Sequence, residues 1–241
     1  FPPAIDGFRD FASIGDFISA LGPDRLSYLD HPFELNCFDT ALLLAAPDMG
    51  LAADLNATNG PFFAVQVSRN YQEAVVPVAS LGEAAAVIHP PGAEPFLKRL
   101  AQFEFSDSHK ALEAALYQYQ ALPLDAAPDA IPAETQNALR RHWERCGIRF
   151  PSHLSLAMLH RASALFHLAV TDHMGVLLKR DTGWLYLEKT GGRGPFLRID
   201  VQDPADVAAY YSTMTWEDYP FNSMSIDDET FLPVPLRNAD A

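Results

Sequence analysis

The chain has 241 residues, of which 49% are hydrophobic and 20% are charged, a composition typical of a folded globular protein. Its formal net charge of −14 and the wide dispersal of its Lys and Arg residues argue against nucleic acid as a partner. No apolar run is long enough to cross a bilayer, so no transmembrane segment is expected. The chain has only 2 cysteines, which excludes a disulfide framework and a cysteine-rich zinc site.

The first predicted elements are two helices separated by a loop. Apolar residues at spacings of three and four within residues 6–21 predict an amphipathic helix. A second, buried helix is predicted to begin near Cys37 and to end before Pro47, which cannot continue a helix. Cys37 therefore falls at a helix N-terminus, where backbone N–H groups and the helix dipole favour a thiolate.

The middle of the chain carries both strand and helix signals. Residues 61–68 and 73–80 have the composition of strands. Residues 95–120 and 133–146 have the apolar periodicity of helices, and a Pro- and Ala-rich loop joins them. We predict that residues 50–150 form a helical insertion that covers one side of the domain.

The last third of the chain is predicted to form an antiparallel sheet. Apolar and branched residues predict strands at 165–170, 173–179, 184–189 and 195–201. The turn signal "RDTG" separates the second and third of these. A helix is predicted to begin at Asp203, and residues 217–241 resemble an irregular acidic surface. Helices followed by antiparallel strands indicate an α+β fold, predicted as a single domain of residues 1–241 with its sheet core at 150–201.

Cys37 and His173 are the candidate reactive pair. Thiol catalysis needs a thiolate and a His that a third polar group holds in one tautomer. His173 begins one predicted strand and Glu188 lies near the end of its partner strand, so their side chains are expected to lie together. Asp172 precedes His173, but consecutive strand residues point to opposite faces, which favours Glu188 as the orienting residue. A buried, unreactive Cys37 is the alternative, because free cysteines are commonly core residues.

Two blocks of sequence carry a family resemblance. They are "NCFDTALLL" at residues 36–44 and "DHMGVLLKRDTGWLYLEKTGGRGPF" at residues 172–196. In this order they resemble the NlpC-like cysteine peptidases and amidases, papain-related enzymes that act mostly on bacterial cell-wall peptides. Within that group the chain is similar to an uncharacterised family of exported bacterial proteins, many of them lipoproteins. The cell-wall enzymes often place a Tyr just upstream of the nucleophile, whereas the nearest one here is Tyr28.

The resemblance implies a papain-like core of the NlpC type with a defined set of site residues. Cys37 would be the nucleophile, His173 the base and Glu188 the residue that orients the base. Asn36 and Asp172, which precede the first two in sequence, are the candidates for substrate contacts. No cofactor is needed for this chemistry.

Other arrangements of the cysteines and histidines compete with this interpretation. A disulfide between Cys37 and Cys146 would form in an oxidising compartment, and His142, four residues before Cys146, offers a rival Cys–His pair. Three further histidines recur every seven residues, at His153, His160 and His167. On a helix that spacing separates neighbours by about 10 Å, too far to share an ion, so no metal site is assigned.

The expected function is hydrolysis of an amide or peptide bond, and a cell-wall peptide is the substrate that the resemblance implies. The resemblance also implies an exported protein of the periplasm or cell envelope. The first residue is Phe1 rather than Met, which would fit either removal of an export signal or a chain given without its first residues. The alternative is an exported binding or scaffold protein with the same fold and no chemistry. An acyl or peptidyl transferase would share the same site.

Overall fold

The structure is a computed structural model, and it describes residues 8–11, 37–46, 48–51, 59–67, 73–80, 107–116, 119–163, 165, 167–189, 196–214 and 221–235. Helices and a mostly antiparallel sheet combine within these residues, which confirms the predicted α+β class. None of the described helices is long and apolar enough to cross a membrane.

The described helices are α1 (Cys37–Ala45), α2 (Asp107–Leu116), α3 (Ile131–Cys146) and α4 (Ala205–Tyr211). Single 3-10 turns precede α3 and follow α4, at Pro128–Ala130 and Ser212–Met214. Helix α3 ends at Gly147, whose positive φ of 62° is a left-handed conformation that Gly adopts without strain.

The described strands are β1 (Phe8–Phe11), β2 (Gly50–Leu51), β3 (Asn59–Val67), β4 (Glu73–Ser80), β5 (Tyr119–Ala121), β6 (Ile148–Arg149), β7 (Ser155–Ser163), β8 (Leu168–Lys179), β9 (Trp184–Lys189), β10 (Phe196–Val201), β11 (Phe221–Ile226) and β12 (Thr230–Val234). The main sheet has the order β1-β10-β9-β8-β7-β11-β12, and β5 also pairs with β8. Its neighbours are antiparallel, except that β1 runs parallel to β10. Strands β2 and β6 pair separately, and β3 and β4 form a hairpin.

The main sheet has two apolar faces because successive side chains of a strand point in opposite directions. The α1 face packs against α1, α2 and α3 and includes Leu156, Met158, Met174, Val176, Leu185 and Leu187. The α4 face packs against α4 and includes Ala157, Leu159, Leu177, Tyr186, Leu197 and Ile199. Burial of each Leu, Val or Ile side chain in these clusters contributes about 1.5–3 kcal/mol.

The helix predicted for residues 6–21 is wrong where the structure describes it. Residues Phe8–Phe11 form β1, which pairs in parallel with Phe196–Ile199. The open edge of β10 presents backbone groups that need partners, and pairing with them outweighs the local helical pattern. The remainder of the predicted helix, residues 12–21, lies outside the described residues.

The segment 50–150 is helical only in part. Helix α2 lies within the predicted helix 95–120, and α3 overlaps the predicted helix 133–146. The segment also contains the β3–β4 hairpin, which agrees with the strands predicted at 61–68 and 73–80. The described part of the segment therefore combines helices with strands, and its role as an insertion that covers one side of the domain stays a prediction. The short strands β2 and β6 pair with each other, and β5 pairs with β8 of the main sheet.

The prediction of an irregular acidic surface for residues 217–241 is wrong for residues 221–234. These residues form the hairpin of β11 and β12, and β11 pairs with β7. The acidic residues lie in its turn, where Asp227 accepts a hydrogen bond from the Leu156 N–H at 2.8 Å. The sheet core therefore extends beyond residue 201, because Met224 and Val234 bury their side chains on the α4 face.

Candidate active site

His173 and Glu188 are in direct contact between β8 and β9. His173 Nε2 lies 2.5 Å from Glu188 Oε2. His173 is 5% exposed and Glu188 is 1% exposed, so the pair is shielded from water. The register of the two strands sets Val176 opposite Leu187, which places Glu188 diagonally across from His173. The hairpin that the sequence predicts therefore brings these two side chains together.

Cys37 completes a chain of hydrogen bonds with this pair. It is the first residue of α1 and is 6% exposed. The charge of Cys37 and a hydrogen bond from its side chain both raise the pKa of His173, which places the thiol next to the imidazole. Because Glu188 engages Nε2 of His173, Nδ1 is the ring nitrogen that remains for the thiol. The order thiol, imidazole, carboxylate is the arrangement used for nucleophilic catalysis by cysteine.

A change of partner along β8 explains how a thiol on a helix reaches His173. Strand β9 pairs with β8 up to Leu187, and β5 pairs with β8 from Val170. Residues 171–175 lie between these two pairings, so the described sheet is open on that side of β8. Helix α1 packs against β8 and β9, and Cys37 at its N-terminus affects the pKa of His173.

The environment of His173 favours its charged form. Burial disfavours the imidazolium, but the negative charges of Glu188 and Cys37 and the hydrogen bonds to both outweigh it. The pKa of His173 therefore lies well above its usual value of 6.5. An imidazolium beside a thiol stabilises the thiolate, which is the nucleophilic form.

Three tyrosines surround the Glu188 carboxylate on the α4 face. Tyr186 donates a hydrogen bond to Glu188 Oε2 at 2.5 Å, and Tyr210 donates one to Oε1. Tyr211 donates instead to the backbone carbonyl of Ala157 at 2.8 Å, and its hydroxyl oxygen lies 2.9 Å from that of Tyr186. Burial, followed by the charge of Glu188, raises the pKa of each tyrosine well above 10, so all three hydroxyls stay protonated.

Because Gly175 has no side chain, it leaves room for the Tyr186 hydroxyl beside Glu188. A Cβ atom at Gly175 would lie 2.5 Å from the hydroxyl oxygen of Tyr186. Any larger residue would therefore push the phenol away from Glu188. On the other side of the site, the Tyr211 ring meets the His173 ring edge-on, with 5.5 Å between ring centroids. His173 is thus held by packing as well as by hydrogen bonds.

Of the two predicted substrate-contact residues, the structure describes only Asp172. Asn36 lies outside the described residues. Asp172 forms an ion pair with Arg161, with 2.7 Å between the charged atoms, and its side chain is 34% exposed. It sits at a bulge, because Leu159 pairs with His173 whereas the next residue pairs with Thr171. Asp172 therefore lies beside the site, while Glu188 is the carboxylate that contacts the imidazole.

His142 and Cys146 on α3, the rival Cys–His pair, lie close to each other but lack the charges of an activated pair. Cys146 Sγ lies 3.7 Å from His142 Nε2, which also contacts the carbonyl oxygen of Ala115 at 2.7 Å. Burial raises the pKa of Cys146 to about 11 and lowers the pKa of His142 to about 4. Both groups are therefore neutral near pH 7, which is the opposite of an activated pair. Cys37 and Cys146 are both free thiols, so the structure contains no disulfide between them.

His160 and His153 have structural surroundings. His160 is fully buried between Thr171 and Ser225, at 3.1 Å and 2.8 Å, and burial lowers its pKa to about 3. His153 forms a surface ion pair with Asp48. Among the described residues, no group of three or more His, Cys, Asp or Glu side chains is placed to hold a metal ion.

Sequence reasoning missed the three tyrosines. Tyr186 carried a usable signal, because it lies two residues before Glu188 on a strand and therefore shares its face. Tyr210 and Tyr211 carried none, because an aromatic pair on a helix is equally typical of simple packing.

Comparison of the chain with protein-family models, with curated proteins and with solved structures found no match.

Proposed function

We propose that this chain is a thiol-dependent hydrolase of amide or peptide bonds. Cys37 is the nucleophile, His173 the general acid and base, and Glu188 the residue that orients His173. The observation that carries the proposal is the direct contact of the His173 imidazole with the buried Glu188 carboxylate, together with the effect of Cys37 on the pKa of that imidazole. Strongly perturbed pKa values in such a cluster are typical of functional sites.

The contrast between two buried histidines supports this assignment. His160 is surrounded by neutral hydroxyls, and burial lowers its pKa to about 3. His173 is also buried, yet its pKa is raised, because the charges of Glu188 and Cys37 and hydrogen bonds with both outweigh the effect of burial. A core histidine with only a structural task is stable as a neutral ring, and His160 is an example. The charged environment of His173 is suited to proton transfer.

The proposed reaction has two steps. The Cys37 thiolate attacks the carbonyl carbon of the substrate, and His173 donates its proton to the nitrogen of the leaving amine as the C–N bond breaks. Water then attacks the resulting thioester while His173 accepts a proton from it. The C–S bond breaks, and the acid product and the thiolate are released. The N–H groups at the start of α1 favour the negative charge that develops in both steps.

The substrate class and location follow from the family resemblance. A helix beginning with the nucleophile, followed by antiparallel strands carrying the base and its orienting residue, supports a papain-like core of the NlpC type. By analogy with that group, we propose a peptide of the bacterial cell wall as substrate and the periplasm or cell envelope as the location.

We expect Cys37→Ala to abolish hydrolysis of cell-wall peptides. Because the variant lacks the nucleophile, the rate should fall by at least about a thousandfold. The assay is the release of new amino groups from peptide fragments of the cell wall. Cys146→Ala is the matched control and should hydrolyse them at the unmodified rate. Equal rates in Cys37→Ala and the unmodified chain would contradict the assignment.

A non-catalytic binding protein is the second candidate, and one observation favours it. Cys37 and His173 are only 6% and 5% exposed, so a substrate carbonyl has little access to the thiol among the described residues. Under this hypothesis the Cys–His–Glu chain is a buried polar network that stabilises the fold. A thiol that resists alkylation in the folded chain would support it, whereas a reactive thiol would favour the hydrolase.

A further inference from the structure

The carboxylate of Glu188 is costly to bury unless its charge is compensated. Glu188 is 1% exposed, and an isolated carboxylate in such surroundings tends to become neutral by taking up a proton. His173 contacts only Oε2. An ionised carboxylate has about four acceptor sites on its two oxygens, so one contact leaves most of them unused.

Tyr210 and Tyr186 supply the remaining contacts. Tyr210 reaches Oε1, the oxygen that faces away from His173, and Tyr186 shares Oε2 with the imidazole. Hydrogen bonds to an ionised acceptor are roughly twice as strong as those between neutral groups. Since both hydroxyls stay protonated, they remain donors over the whole range in which a thiol enzyme works.

We propose that Tyr210 and Tyr186 are positioning residues, which fix the carboxylate of Glu188 so that it holds the imidazole of His173 directed at Cys37. This inference rests on the proposed hydrolase function and extends the site to five residues. It also makes α4 part of the site, because Tyr210 brings a donor from that helix across the α4 face of the sheet.

Tyr211 provides a matched comparison for Tyr210. The two residues are neighbours on α4 and both are fully buried. Tyr211 donates to the carbonyl of Ala157, whereas Tyr210 donates to Glu188. Loss of the hydroxyl from either residue leaves the ring in place. Only loss from Tyr210 removes a donor from the carboxylate.

We expect Tyr210→Phe to reduce the charged fraction of His173 and the reactivity of Cys37. With one donor lost, the Glu188 carboxylate is held less firmly, so its charge stabilises the charged form of His173 less well. The ring 15N chemical shifts of His173 report the charged fraction near pH 6.5, the usual pKa of His. The rate of Cys37 alkylation by iodoacetamide at the same pH should fall about tenfold, as expected for a lost hydrogen bond to a charged group.

Tyr186→Phe should change the 15N shifts of His173 and the alkylation rate of Cys37 in the same direction. Tyr211→Phe should change these two quantities much less. Thermal unfolding of each variant shows whether the fold is retained. If Tyr210→Phe does not fold, Tyr186→Phe carries the test. Unchanged 15N shifts and alkylation rates in a folded Tyr210→Phe or Tyr186→Phe variant would overturn the inference. If Cys37 is already unreactive in the unmodified chain, the proposed hydrolase function fails instead.

Discussion

Replacement of His173 by Gln should lower the rate of Cys37 alkylation near pH 6.5 by about ten- to a hundredfold. A cysteine of ordinary acidity is about 1% ionised two pH units below its pKa of about 8.5. Under the proposed function, the charged imidazole of His173, whose pKa is raised well above 6.5, stabilises the thiolate of Cys37. Gln at this position carries no charge and removes that stabilisation. Mass spectrometry of the iodoacetamide adduct measures the rate.

His153→Gln is the matched control for this variant. His153 is half exposed and forms a surface ion pair with Asp48, away from the thiol. Its replacement should leave the alkylation rate unchanged. If His173→Gln reacts as fast as the unmodified chain, His173 does not activate Cys37, and the hydrolase assignment loses its basis.

Replacement of Glu188 by Gln is expected to destabilise the fold as well as the reactive pair. The variant retains the size of the side chain but removes the charge that His173, Tyr186 and Tyr210 contact. Breaking a buried ion pair of this kind costs about 3 kcal/mol, which corresponds to a decrease in Tm of about 6–12 °C for a chain of this size. Alkylation of Cys37 should slow as well, because burial then favours the neutral form of His173.

The loss of stability in Glu188→Gln should depend on pH in a defined direction. The pKa of His173 is higher in the folded chain than in the unfolded chain, so its charge adds stability below about pH 6.5. That contribution to stability decreases as the pH rises through the raised pKa of His173 in the folded chain. The difference in Tm between the variant and the unmodified chain should therefore be largest near pH 6.5 and should shrink at higher pH.

Glu144→Gln is the control for these measurements, because Glu144 is exposed on α3. Its Tm should stay within the small range typical of surface substitutions. A Glu188→Gln variant with the same Tm and the same Cys37 reactivity as this control would show that the buried carboxylate neither stabilises the fold nor orients His173.

The parts of the site that follow local rules could be predicted from the sequence. A turn at Arg180–Gly183 fixes how β8 and β9 pair, and the alternation of side chains then brings His173 and Glu188 together. A Pro at position 47 predicts that the buried helix ends before it, and the described helix Cys37–Ala45 begins at the predicted Cys. Both inferences need only neighbouring residues.

The parts that depend on distant contacts could not be predicted in the same way. Tyr210 reaches Glu188 only because α4 packs across the sheet, and nothing in the sequence near either residue encodes that packing. Strands β1 and β11 form because the edges of β10 and β7 offer hydrogen-bond partners. Local periodicity is a weak signal when such tertiary pairing competes with it.

The relative alkylation of Cys37 and Cys146 in one sample of the unmodified, folded chain tests the central claim most directly. Cys146 is fully buried and its pKa is raised to about 11, so it serves as an internal reference for an unreactive thiol. Near pH 6.5, the usual pKa of His, iodoacetamide should label Cys37 at least about a hundredfold faster than Cys146. Equal protection of both thiols, or faster labelling of Cys146, would contradict an activated Cys37–His173–Glu188 site.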